Sequence, residues 1–194
     1  MFVSLLSGFM LLAPAGPGAP AAATPCITMN TERLPLATRP SPLDSTVITL
    51  HGQEVKVCYG RPSARGRTML GGEAVPYGKL WRTGANEPTM IHTALPLMIA
   101  GVRVGPGSYS LYTVPDKHEW QIIVNRSLTQ WGRENYYTPE VAAQEVGRGK
   151  VKPEAAPGPV ETFTIRLEPA GPNAARMVLE WETTRVVVPV EVAH

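Results

Sequence analysis

The chain has 194 residues, is 43% hydrophobic and 18% charged, and carries a formal charge of +2 at pH 7. That length defaults to one domain, and the composition excludes a disordered chain. So small a charge excludes the broad basic stripe of a nucleic-acid binder and leaves room only for local basic patches.

Residues 1–23 contain no charged side chain, and the first in the chain is Glu32. The apolar run 2–13 has the length of a signal-peptide core and falls short of the ~20 residues that a helical membrane span needs. Ala21, Ala22 and Ala23 offer a cut before Thr24. Residues 1–23 are therefore read as a signal peptide, and the mature protein as exported, periplasmic or extracellular, with no transmembrane segment. Cys26 also offers a lipid-attachment position, but Pro25 precedes it where such cysteines usually follow Gly or Ala, so soluble export ranks ahead of a lipid anchor.

Residues 24–45 carry scattered prolines and no sustained period, which predicts an extended N-terminal arm; residues 46–194 read as a single β domain. "STVITLHGQEVKVCYGRP" predicts a hairpin about His51-Gly52. Alternation in "EVKVCYG" puts Val55, Val57 and Tyr59 on one face, Lys56 and Cys58 on the other. Cys26 and Cys58 are the only cysteines, too few for a zinc ribbon. Export permits a disulfide between them, and a free, half-buried Cys58 is the alternative.

From Pro88 to Pro115 the pattern allows up to three strands, with turns at Pro96, Ala100-Gly101 and residues 105–107. Tyr109 and Tyr112 fall on opposite faces, which predicts one buried and one exposed. "EWQIIVN" is a further strand. Thr138 as cap, Pro139 in the first turn and Glu140 beside it predict one short helix running up to Gly147. Residues 152–159 read as a Pro-rich connector, and "ETFTIRLE" and "ARMVLEWETTRVVVPVEV" close the chain as strands. Roughly eight to ten short strands with Pro/Gly turns predict an all-β fold, an antiparallel β-sandwich or jelly-roll-like barrel with at most one short helix.

"VCYGRPSARGRTMLGG" and "VPYGKLWRTGANEPT", followed by "GPGSYSLYTVP", "EWQIIVN", "WGRENY" and "VLEWETTRVVVPV", resemble the secreted bacterial domain-of-unknown-function 2911 family in order and spacing. The resemblance spans roughly residues 47–190 and implies an exported, mainly β domain. It implies no biochemical role.

Function has few places to sit. Arg61, Arg65 and Arg67 in "GRPSARGR", with Lys79 and Arg82, form a basic cluster; arginine forks hold carboxylate or phosphate, and they also fasten loops by binding carbonyls, Glu73 or Glu87. In "LWRTGANEPTMIHTAL", residues 83–86 read as a turn with Asn86 at its end, and Glu87 or His92 as general base with Arg82 as anion clamp describes a small exported hydrolase. The competing structural reading is a buried Arg–Glu pair beside a core Trp81. No G-x-S-x-G, H-E-x-x-H or P-loop occurs. His51, His92, His118 and His194 lack paired spacing, so no metal or cofactor is assigned. Trp120, Trp131, Tyr136 and Tyr137 suggest a saccharide platform. Arg61, Arg65, Arg67, Arg82, Asn86 and Trp131 are thus the candidate ligand contacts, and binding of a small acidic or saccharide-like ligand is the leading function.

Overall fold

A computed structural model describes residues 24–193; the signal-peptide reading of residues 1–23 lies outside the described residues. Ten strands form two antiparallel sheets. β1 (Leu43–Leu50), β2 (Gln53–Gly60), β3 (Thr89–Thr93), β6 (Gly107–Val114), β7 (Trp120–Asn125) and β8 (Glu145–Val151) make the larger one, in the order β1-β2-β3-β6-β7-β8. β4 (Leu97–Ile99), β5 (Val102–Val104), β9 (Pro153–Pro169) and β10 (Ala174–Val192) make the smaller, in the order β5-β4-β10-β9. The protein is an all-β sandwich, as the turn-punctuated strand pattern predicts.

Strand alternation builds the core. Val55, Val57 and Tyr59 of β2, Ile91 of β3 and Leu111 of β6 meet Phe163, Ile165 and Leu167 of β9 between the sheets. β10 contributes Met177, Leu179 and Trp181, then Val186, Val188 and Val190. The inward set moves from odd to even positions across the register shifts at Glu180, Glu182 and Thr184. The extra residues of that irregularity lie on β9, while β10 turns its faces over at Glu182, which is left-handed (φ 53°), and so keeps feeding a single core. Trp81 completes an aromatic cluster with Trp120, Phe163 and Trp181, stacked on the last at 5.7 Å.

Four local expectations change. The helix α1 (Pro139–Ala142) starts as predicted, with the Thr138 hydroxyl accepting from the Val141 amide, but stops at Ala142. Residues 145–151 are the edge strand β8 instead. Gly147 and Gly149 weaken a helix, and a Cβ at Gly149 would overlap the Ala100 carbonyl oxygen. Residues 152–159 are no connector: they begin the 17-residue β9, which lies at a sheet edge where proline's missing donor is tolerated. The segment between Pro88 and Pro115 holds four strands, not three, because Leu97–Ile99 and Val102–Val104 pair as a hairpin of their own. Tyr109 and Tyr112 do lie on opposite faces, yet both are buried. Tyr109 enters the main core, whereas Tyr112 packs with Ile123 and Val141 beneath the α1 segment, its ring 4.8 Å from that of Tyr137. Burial pushes the Tyr112 hydroxyl well above the ordinary phenol pKa.

The outer face of the larger sheet is covered at β2–β3 by the stretch before β1. Cys26 and Cys58 are joined as a disulfide, with Cα atoms 5.7 Å apart. Lys56 donates from Nζ to the Thr24 carbonyl, and the Met29 amide donates to Glu87. Cys58 and its cross-strand neighbour Met90 are consequently buried despite facing away from the core.

Candidate functional site

Two glycines bring the sequence motifs together. A Cβ on Gly60 would collide with the Ala85 carbonyl, and one on Gly84 would lie 2.9 Å from the Gly60 oxygen. "YGRP" and "RTGANE" are thus two backbones in contact, an approach only glycine permits. Thr83 (φ 59°) and Asn86 (φ 66°) both adopt left-handed conformations in this turn. For a β-branched residue that is costly, and the turn holds it by bonds. The Thr89 hydroxyl donates to the Thr83 carbonyl at 2.6 Å, the Thr83 hydroxyl to Thr113, and the Trp81 indole to the Gly84 carbonyl.

The charged residues of the turn then part company. Arg82 and Glu87 do not pair with each other. Glu87 receives both guanidinium branches of Arg39, at 2.7 and 3.0 Å, and the Met29 amide at 2.6 Å. Its partner comes from the arm, and two further Arg39 donors go to the Met29 and Leu34 carbonyls. A buried charge is tolerable when its lone pairs and protons are used in this way. Arg82 instead reaches Glu134 at 2.7 Å, and its own amide donates to the same carboxylate oxygen at 3.3 Å. Arg82 Nε is buried without a hydrogen-bond partner among the described residues.

Arg82 and Glu134 line a cleft of about 830 Å³, together with Arg67, Lys79, Arg133 and Glu73; Met69, Pro76 and Leu80 supply apolar wall. Four cationic side chains and two carboxylates leave the rim positive. Of the basic cluster read from the sequence, Arg67, Lys79 and Arg82 meet here. Arg61 lies elsewhere, bonded to the Phe163 carbonyl and Thr164 and 3.3 Å from Asp44. Arg65 donates to the Pro40 carbonyl, and Arg67 to the Ala64 and Ser63 carbonyls. Loop carbonyls take the Arg65 and Arg67 bonds, and the carboxylate beside Arg61 is Asp44 rather than Glu73 or Glu87. Asn86 donates to the Ser41 carbonyl, while its own carbonyl accepts from Gly132 and so ties the Trp131 loop to the turn. Trp131 is half-buried, with its indole nitrogen unpartnered among the described residues.

His92 belongs to a different place. It pairs in register with Lys56 on one side and Ser108 on the other, and its Nδ1 lies 2.8 Å from the Ser108 hydroxyl. Burial, then the neighbouring Lys56, hold its pKa below the ordinary imidazole value, with Glu54 opposing. It lines a depression of about 520 Å³ with Thr24, Gln53, Glu54 and Ser108. Glu87, His92 and Arg82 therefore have three separate sets of partners.

Sequence reasoning missed Arg39, Arg133 and Glu134. The last two stand in "WGRENY", where charges between aromatics were a usable signal. Nothing local marks Arg39, which acquires its role only by burial against a residue 48 positions away. Among the described residues, no group of three or more His, Cys, Asp or Glu could hold a metal ion, and no helix is long and apolar enough to cross a membrane.

No curated protein and no solved structure matches the chain. A family model does, over residues 41–190, a span that includes all of both sheets but the last two residues of β10. The chain therefore belongs to the family described as Protein of unknown function (DUF2911).

Proposed function

We propose that this protein is an exported binding module whose cleft between Arg82 and Arg133 holds a small acidic ligand, a carboxylate or phosphate, including an acidic saccharide. The observation that carries the reading is Arg82. One branch of its fork is engaged by Glu134, while Nε is buried and unpartnered among the described residues. The Arg82 side chain is 16% exposed and lines the cleft, so an incoming oxyanion can share its fork with Glu134. Arg67, Lys79 and Arg133 add positive charge around the same cleft, outnumbering Glu73 and Glu134. Apolar wall beside a few convergent polar groups is the usual make-up of a small-ligand site. Exposed Tyr136 and half-buried Trp131, on either side of Arg133 and Glu134 in the chain, offer ring surface for a sugar. Export is supported by the Cys26–Cys58 disulfide, because such bonds persist in oxidising compartments.

Calorimetric titration with inorganic phosphate, citrate and galacturonate at low ionic strength tests the site. Saturable binding of at least one probe is expected, weakened roughly tenfold or more in Arg82→Ala and in Arg133→Ala, since each removes a charge-assisted contact. Absence of binding by all three, or binding indifferent to both substitutions, ends the reading.

A further inference from the structure

The first described residue lies against the domain. The Thr24 amide donates to the Glu54 carboxylate at 2.9 Å, and its carbonyl accepts from Lys56 Nζ at 2.7 Å. Glu54 and Lys56 are alternate residues of β2, so both stand on its outer face, beside the Cys58 that anchors Cys26. Thr24 is thus gripped at its nitrogen and its oxygen, two residues from a covalent tether. It also lines the depression that contains His92 and Ser108. In the sequence, Ala21, Ala22 and Ala23 lie immediately before it.

We infer that Thr24 is the mature N-terminus, and that its α-ammonium group, created by hydrolysis of the Ala23–Thr24 peptide bond, is held by Glu54 as one wall of the His92 depression. This rests on the export reading above. The cut adds water across one amide bond, leaving a carboxylate on Ala23 and an amine on Thr24. The nitrogen that donated one neutral hydrogen bond becomes a cation with three donors, already in place beside a carboxylate. The disulfide and the Lys56 contact hold Thr24 there in the folded domain, so the ion pair forms without ordering a free chain end. Three charged or titratable groups surround it: Glu54 favours the ammonium, while Lys56 and, when protonated, His92 oppose it.

The test uses the full-length sequence expressed in an exporting bacterium. N-terminal sequencing and intact mass of the exported product should give Thr24 as the first residue, with the disulfide present. The α-amine of that product is then titrated by NMR. Glu54→Gln should lower its midpoint by about half a pH unit, the size set by an exposed ion pair of roughly 0.2–1 kcal/mol at 1.36 kcal/mol per unit. Lys56→Gln should raise it. Full-length protein kept inside the cell would overturn export and this inference together. Export with a start elsewhere, including a lipid-modified Cys26, would overturn the inference alone. So would a Thr24 start whose midpoint ignores both substitutions. None of these results touches the Arg82 cleft, which the anion titrations decide.

Discussion

Arg39–Glu87 and Arg82–Glu134 are both arginine–glutamate pairs closed at 2.7 Å, and both take one member from the same turn. The side chains of the first are 0% and 5% exposed, those of the second 16% and 26%. Neither charge of the first can lose its partner without being stranded in the interior, where an uncompensated ion is expensive. The second pair borders an open cleft and is partly exposed, so either charge can exchange its partner for water or for a ligand. The shortest contact has the same length in both, but the first pair is bidentate and buried whereas the second is joined by one side-chain bond and partly exposed, and together these differences separate a lock from a clamp. Charge density in a turn therefore says little about function until the partners and their exposure are known.

Breaking the lock gives the largest expected effect. Glu87→Ala leaves Arg39 buried and unpaired and should cost about 3–5 kcal/mol in urea unfolding. A variant as stable as the parent would show that Arg39 finds another acceptor, and the contrast between the two pairs would disappear. Next comes the tether that delivers Arg39 to Glu87. Cys26 and Cys58 are 32 residues apart, and releasing a loop of that size should cost about 3–4 kcal/mol in the chain-entropy model. Unfolding Cys26→Ser/Cys58→Ser and reduced wild type beside oxidised wild type measures it, and equal stability of oxidised and reduced protein would remove the tether from the account.

The clamp should respond differently. Glu134→Gln is expected to change stability by roughly 0–1 kcal/mol, as partly exposed pairs do, while anion affinity rises because Arg82 no longer has a resident carboxylate. Unchanged affinity would mean that Glu134 does not compete with the ligand. The smallest effect is at His92. Its folded pKa lies below the ordinary value, so the unfolded chain takes up a proton first as pH falls. The stability carried by the neutral ring is complete above about pH 6.5 and declines below it, toward the depressed folded value. His92→Gln should flatten that acid-side decline, and identical slopes in parent and variant would show the ring to be neutral to folding.

Much of this was legible beforehand. Strand alternation placed Val55, Val57 and Tyr59 inward and Cys58 outward, and the structure agrees. Thr138 and Pro139 marked the helix start correctly, because capping is a local contest over a few amides. Its end differs because β8 is held by pairing with β7, a partner twenty or more residues away that no local propensity reveals. The expectation of one exposed tyrosine fails for the same reason: the strand face that carries Tyr112 is covered by a segment that packs from a distance. At the candidate site, Arg82 and Arg67 were legible as arginines among glycines. That Glu134 would be the partner of Arg82, and Arg39 that of Glu87, was not.

The sequence by itself determined the β class, the inward and outward faces of most strands, and the two glycine-bearing turns, since these follow from side-chain period and from what a backbone can adopt. Tertiary structure alone decided which carboxylate each arginine meets, which aromatic faces are covered, and which polar turn opens into a cleft. Those outcomes depend on distance and desolvation between segments far apart in the chain. Residue order carries no local record of either.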